Sequence, residues 1–255
     1  MKVFDVEAFI LSLQPGRNMA PPDGLKVGNP DTEVAGIAVT WMGTRSIILE
    51  AATRELNLVI SHEPVFFSPG DDFKSFERDY AFVEKMQEIL KNRLQAYRLH
   101  DFWLDCPRHG ILDSLAEASG IAELENLAMG IGNGSIETTT LAAFAGRMKN
   151  SLGISEIRMS GDPHAEISNV GLVCGGPADF SQFQDCIRAG VDCVVAGEAV
   201  EGVLRYAQDS ELSVILIGHR QSEEPGLASL TKLLHAEFEN LPVEHLKLGE
   251  AAQTV

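Results

Sequence analysis

The chain has 255 residues, 45% of them hydrophobic and 22% charged, and a formal net charge of −17. These proportions describe a globular protein with a sizeable core, held in one large domain or two tightly joined lobes. The acidic balance excludes a reader of nucleic-acid backbones, which needs clustered Lys and Arg, and a ligand of anionic membrane surfaces. No run of about 18 apolar residues occurs, so no transmembrane helix is expected.

The opening "MKVFDVEAFILSLQPG" carries Asp5 and Glu7 inside its apolar pattern. It reads as an amphipathic helix and not as a secretory signal, so a cytoplasmic protein is expected. "AGIAVTWMGTRSIILEAATRELNLVISHEP" reads strand, loop, helix, strand, with Thr44 as a helix cap. Its "NLVIS" is apolar enough for a strand covered on both faces. A helix "DYAFVEKMQEILKN", a strand "LQAYRLH" and a helix "GILDSLAEASG" follow, the last ending on Gly120.

Residues 126–168 are Gly- and Thr-rich, and two strands are expected there, "TTLAAFAGRM" and "ISEIRMS". "NVGLVCGGPADFSQFQDCIRAGVDCVVAGEA" then repeats the strand, Gly-rich loop, helix, strand order. Glu63 and Glu198 fall at equivalent places in the two copies, which suggests two related α/β lobes. A helix "EGVLRYAQDS", a strand "LSVILIG", a helix "LASLTKLLHAEFEN" and a strand "VEHLKL" complete the chain. The expected boundary divides residues 1–125 from 126–255. Cys106, Cys174, Cys186 and Cys193 form no CxxC pair and read as free thiols in a reducing compartment.

Ligands of open α/β sheets gather beyond the carboxyl ends of the strands. There stand His62 and Glu63, then His100, Asp101 and Asp105, then Glu198, then His219 and Glu223. Singly, each has an ordinary explanation: a satisfied polar strand end, a turn Asp, or Ser222 as N-cap with Glu223 in a first turn favoured by the helix dipole. Together they form a His and carboxylate set suited to zinc, iron, manganese, cobalt or nickel, without the cysteines of a thiolate zinc site. Any five of these eight groups exceed the needs of one tetrahedral ion and suit two ions about 3.5–4 Å apart that activate a water for hydrolysis. "CGGPADF" reads as a tight strand-to-helix turn, with an anion site at the helix N-terminus as the alternative. There is no Walker-type GxxxxGK[ST] and no GxGxxG after a strand.

"DGLKVGNPDTEV", "SHEPVFF", "HDFWLDCPRHGILDSLAEASG" and "GHRQSEEPGLASLTKLL" occur in the order and spacing of the Nif-three-like proteins, also catalogued as GTP cyclohydrolase I type 2 homologues. The chain resembles the short form of that family, without its inserted domain. The resemblance implies two related α/β lobes, mixed sheets flanked by helices, with a dinuclear metal site between them and toroidal homohexamers built as trimers of dimers. It also implies His62, Asp105, His219 and Glu223 as metal ligands, Glu223 bridging the two ions.

The family's second histidine, directly before the proline, is here Glu63. As a ligand, Glu63 adds negative charge and shifts preference toward harder ions such as manganese or magnesium. Where it does not reach, one ion is lost, or His100 or His109 supplies the imidazole. His100 stands five residues before Asp105, one more than the family spacing. His100, Asp101 and Glu198 are candidates for supporting positions. The expected function is metal-dependent hydrolysis of a small phosphorylated or heterocyclic substrate. The alternative is a non-catalytic metal-binding or scaffold ring with a modified site.

Overall fold

The computed structural model describes residues 1–71 and 73–251. Its helices are α1 (Val3–Ser12), α2 (Arg45–Thr53), α3 (Tyr80–Lys91), α4 (Asp101–Leu104), α5 (Ile111–Ser119), α6 (Leu141–Leu152), α7 (Phe180–Arg188), α8 (Glu201–Asp209) and α9 (His219–Glu237). Its strands are β1 (Gly24–Val27), β2 (Ile37–Met42), β3 (Leu58–Glu63), β4 (Gln95–Arg98), β5 (Ala122–Ala128), β6 (Ile131–Thr140), β7 (Arg158–Ser160), β8 (Glu166–Val173), β9 (Cys193–Ala196), β10 (Ser213–Leu216) and β11 (Val243–His245). Among the described residues, no helix is long and apolar enough to cross a membrane.

Two compact units emerge. One comprises Met1–Trp103 together with the segment from Leu227, the other Leu104–Gly226. This division does not fall at the expected 125/126 boundary. The chain returns to its first unit because β11, formed near its end, pairs in parallel with β2, Val243 opposite Ile37.

In the first unit the sheet order is β1-β4-β3-β2-β11. β2, β3, β4 and β11 run parallel and β1 closes one edge antiparallel to β4. Side chains alternate across a strand, so Ala38, Val59 and Ala96, in register across β2, β3 and β4, share one face. Ile47, Ile48 and Ala51 of α2 and Phe82 and Ile89 of α3 cover that face. Thr44 caps α2 as expected, its Oγ1 accepting the Ile47 amide at 3.4 Å.

In the second unit the sheet order is β5-β6-β8-β9-β10-β7. β8, β9 and β10 run parallel, and the remaining strands join antiparallel. Alternation sorts its core into two layers. Val170, Leu172, Cys193, Val195 and Ile215 meet α5 and α6. Val173, Val194, Ala196, Val214 and Leu216 meet α7 and α8. Both units therefore carry the parallel strand, helix, strand order expected from the repeat, as β2-α2-β3 and β8-α7-β9.

Three local expectations are corrected. "TTLAAFAGRM" is not a strand: β6 ends at Thr140, whose Oγ1 accepts the Ala143 amide at 3.3 Å and starts α6. Its buried Leu141, Phe144, Ala145 and Met148 recur at helical spacing. "ISEIRMS" shortens to the three residues of β7. The last long helix starts at His219, so Ser222 lies inside its first turns and is not its N-cap.

Candidate metal-binding residues

β3 runs on through the two residues that were expected to follow it, pairing Glu63 with Met42 of β2. It thereby delivers His62 at 1% exposure and Glu63 with its side chain 13% exposed. His100 follows β4 and precedes α4, a short helix whose start is held by Asp23. The Asp23 carboxylate accepts the His100 amide, and also the Phe102 amide at 2.7 Å. His62, Glu63 and His100 each offer a ligand atom, and these atoms all lie within 4.8 Å of one another.

The two imidazoles are stacked, with centroids 4.4 Å apart and planes 20° apart. His62 Nδ1 is 3.0 Å from the Leu99 carbonyl oxygen, so Nδ1 carries the proton it donates and Nε2 holds the lone pair. His100 Nδ1 is 2.6 Å from Asp101 Oδ1, which assigns the same tautomer, and its Nε2 lies 3.7 Å from Glu63 Oε1. Outer partners of this kind orient imidazole ligands at metal centres. Burial holds His100 below its ordinary pKa, helped by His62 and opposed by Asp101 and Glu63. The neutral, ligand-competent ring is therefore favoured.

A buried ion pair supports this group from behind. Arg98 Nη1 lies 3.5 Å from Asp71 Oδ2, and the two side chains are 3% and 0% exposed. Arg98 Nε donates to the His62 carbonyl at 3.2 Å, and Arg98 Nη1 donates to the Pro69 carbonyl. Asp71 Oδ1 accepts the Phe66 amide at 2.8 Å. These contacts fix the backbone at His62 and the segment that follows it. Neither Arg98 nor Asp71 carries a local pattern that marks it, since each is defined by its distant partner.

In the second unit α9 begins directly with His219, and Glu223 stands one turn later. His219 Nε2 and Glu223 Oε2 are 3.4 Å apart, with side chains 22% and 2% exposed. Ser222 Oγ donates to the His219 carbonyl at 2.6 Å and accepts the Gly175 amide at 2.9 Å. That double use draws the loop after β8 against the start of α9. Gly175 sits at φ +72°, and a Cβ there would stand 2.6 Å from Glu223 Oε1 and 3.3 Å from His219 Nε2. "CGGPADF" is thus a close-approach turn. The start of α7 is occupied by its own Asp179, which caps the Gln182 amide at 3.0 Å.

Asp105 Oδ1 accepts the Gly130 amide at 2.7 Å. Burial pushes the Cys174 thiol well up, and the charges of Glu223 and Asp105 add to this. Glu198 is exposed and packs against Gly176, where a Cβ would stand 2.7 Å from its own Cβ. His109 joins no ligand group among the described residues. Its carbonyl accepts Ser114 Oγ at 3.0 Å beside the start of α5.

Fold and side chains together define a class: an α/β protein with mixed sheets and groups of imidazoles and carboxylates able to hold a cation. The Duf34/NIF3 (NGG1p interacting factor 3) family model matches residues 1–252, and the chain belongs to that family. It is 25% identical over 230 residues to a "GTP cyclohydrolase 1 type 2 homolog" of Clostridium acetobutylicum, covering 86% of this chain and 84% of the relative. A protein of the same name from Clostridium perfringens is 26% identical over 239 residues, covering 89% and 88%. The fold is similar to that of a Bacillus cereus protein related to NIF3, with a TM-score of 0.83 at 16% identity, covering 100% of this chain and 98% of the other.

Proposed function

We propose that this protein binds divalent metal through His62, Glu63, Asp105, His219 and Glu223, with His100 as a further imidazole, and uses it in hydrolysis of a small phosphorylated or heterocyclic substrate. The observation that carries the reading is the convergence of His62, Glu63 and His100 within 4.8 Å, with both imidazoles oriented through Nδ1. The donor set fits borderline and hard ions such as zinc, iron, manganese, cobalt, nickel or magnesium. Two ions are expected per chain, or one where the Glu63 carboxylate does not serve. Such an ion supplies a Lewis acid that lowers the pKa of water and polarises a phosphoryl or carbonyl oxygen.

The chain's own residues do the rest. Leu99 and Asp101 hold the tautomers of His62 and His100. Arg98 fixes the His62 backbone, and Gly175 leaves room for Glu223 and His219. The relatives' name adds cyclohydrolysis of a nucleotide to the candidate reactions. A toroidal homohexamer, a trimer of dimers working in the cytoplasm, belongs to the same reading, and light scattering on the purified chain tests the assembly.

Glu63 favours a second reading, a metal-binding ring without catalysis, because it stands where the resembling proteins carry histidine. The test loads the protein with manganese or zinc and screens nucleotides, phosphoesters and cyclic amides for turnover. Turnover lost in both His62→Ala and His219→Ala supports catalysis. Tight, stoichiometric metal without turnover of any substrate class favours the ring.

A further inference from the structure

The second unit holds a groove of about 420 Å³ that the metal chemistry does not use. Small-molecule sites in proteins have volumes of roughly 300–1,000 Å³ and combine apolar walls with a few convergent polar groups. The groove follows from the sheet's edge. α8 covers β9 and β10 through Val203 and Ala207, and β7 lies one strand further out. Antiparallel register sets Arg158 opposite Leu216 and Ser160 opposite Val214, on the face α8 covers. Val214 and Leu216 are buried and form the floor, and Leu204 of α8 forms the wall.

The polar groups divide by their partners. Gln208 Nε2 donates to Ser160 Oγ at 3.1 Å and joins α8 to β7 across one end of the groove. Arg205 is held by Glu201 at 3.0 Å and by Gln208 at 3.2 Å. Glu201, the acid lining the groove, is thereby paired with Arg205. Arg158, at the other end and opposite the last residue of β10, has no carboxylate partner among the described residues. In a chain of net charge −17, a guanidinium beside an apolar floor with no acid assigned to it is an unused anion binder.

We propose that this groove binds a small amphipathic anion, an aliphatic body capped by a carboxylate or phosphate head. The head pairs with Arg158 and the body covers Leu204, Val214 and Leu216. The proposal stands apart from the metal reading and survives its failure, since none of these residues belongs to either ligand group.

The test titrates isotope-labelled full-length protein with octanoate and with octyl phosphate, followed by NMR. Octanol, acetate and inorganic phosphate serve as head-only and tail-only controls. Shifts confined to residues 158–160, 199–208 and 214–216 are expected. Each control should bind at least about tenfold more weakly, as should either probe to Arg158→Glu, while Arg158→Lys keeps most of the affinity. The preferred probe tells which head the site takes. Absence of these shifts, shifts centred elsewhere, or affinity indifferent to Arg158→Glu would overturn the proposal. Arg158 is exposed, so its variants keep the fold, and unchanged spectra outside the groove check this.

Discussion

Replacing Arg98 by Met isolates the buried pair behind His62. The variant leaves the Asp71 carboxylate, 0% exposed, without its guanidinium at 3.5 Å, and removes the donors to the His62 and Pro69 carbonyls. Breaking a buried pair from one side costs about 3–5 kcal/mol. At a urea m-value of ~2–3 kcal/mol per M the unfolding midpoint near neutral pH drops by roughly 1–2.5 M. The deficit has a definite pH dependence. Burial already holds Asp71 above its ordinary 3.8, opposed by the Phe66 amide and Arg98. Losing Arg98 raises it further. A carboxyl whose folded pKa is raised binds its proton more tightly when folded, so the variant regains stability relative to the parent as pH falls toward that pKa. Urea unfolding at about pH 7.5 and about pH 5 should show a large and a reduced deficit. Asp71→Asn in the Arg98→Met background should recover part of the loss at neutral pH. An equal deficit at both pH values, or no recovery in the double variant, would refute the reasoning.

Two further outcomes follow from the same geometry. Gly175→Ala places a methyl 2.6 Å from Glu223 Oε1 at φ +72°. The left-handed backbone costs about 1–2 kcal/mol, and displacement of Glu223 should lower metal capacity below that of the parent, read by calorimetric manganese titration. Lys85, 1% exposed and donating to the Val65 carbonyl, is pushed by burial from 10.5 down to about 8. It binds its proton less tightly when folded, so the parent should gain stability between about pH 8 and 10.5. Lys85→Met should lack that gain in denaturant unfolding across this range.

Much of the fold was legible because its signals are local. The apolar "NLVIS" and "DCVVAGE" runs, Thr44 before α2 and Gly120 at φ +69° after α5 each act within a few residues. The errors arose where two signals compete. Thr139 and Thr140 suggest a continuing strand, yet Thr140 is also a strong cap, and the spacing of Leu141, Phe144 and Met148 decides for helix. Ser222 resembled a cap but spends its hydroxyl on Gly175 and His219.

Among the candidate ligands, His62, Glu63, His219 and Glu223 were visible as polar residues at strand ends. His100 reads in the sequence either as a supporting position or as a substitute imidazole, and it stands in the same 4.8 Å group as His62 and Glu63. Asp101 Oδ1 lies 2.6 Å from His100 Nδ1. Arg98 and Asp71 acquire their roles only from contacts made by folding, and no spacing in the chain encodes them.

The most direct test of metal binding is elemental analysis of the purified chain joined to anomalous diffraction from metal-loaded crystals. The proposed function predicts one or two divalent ions per chain, with anomalous peaks at about 2.0–2.3 Å from the Nε2 atoms of His62 and His219 and from a Glu223 oxygen. Those peaks should weaken in His62→Ala and His219→Ala. A fully folded, metal-loaded protein with no peak at either histidine would contradict it.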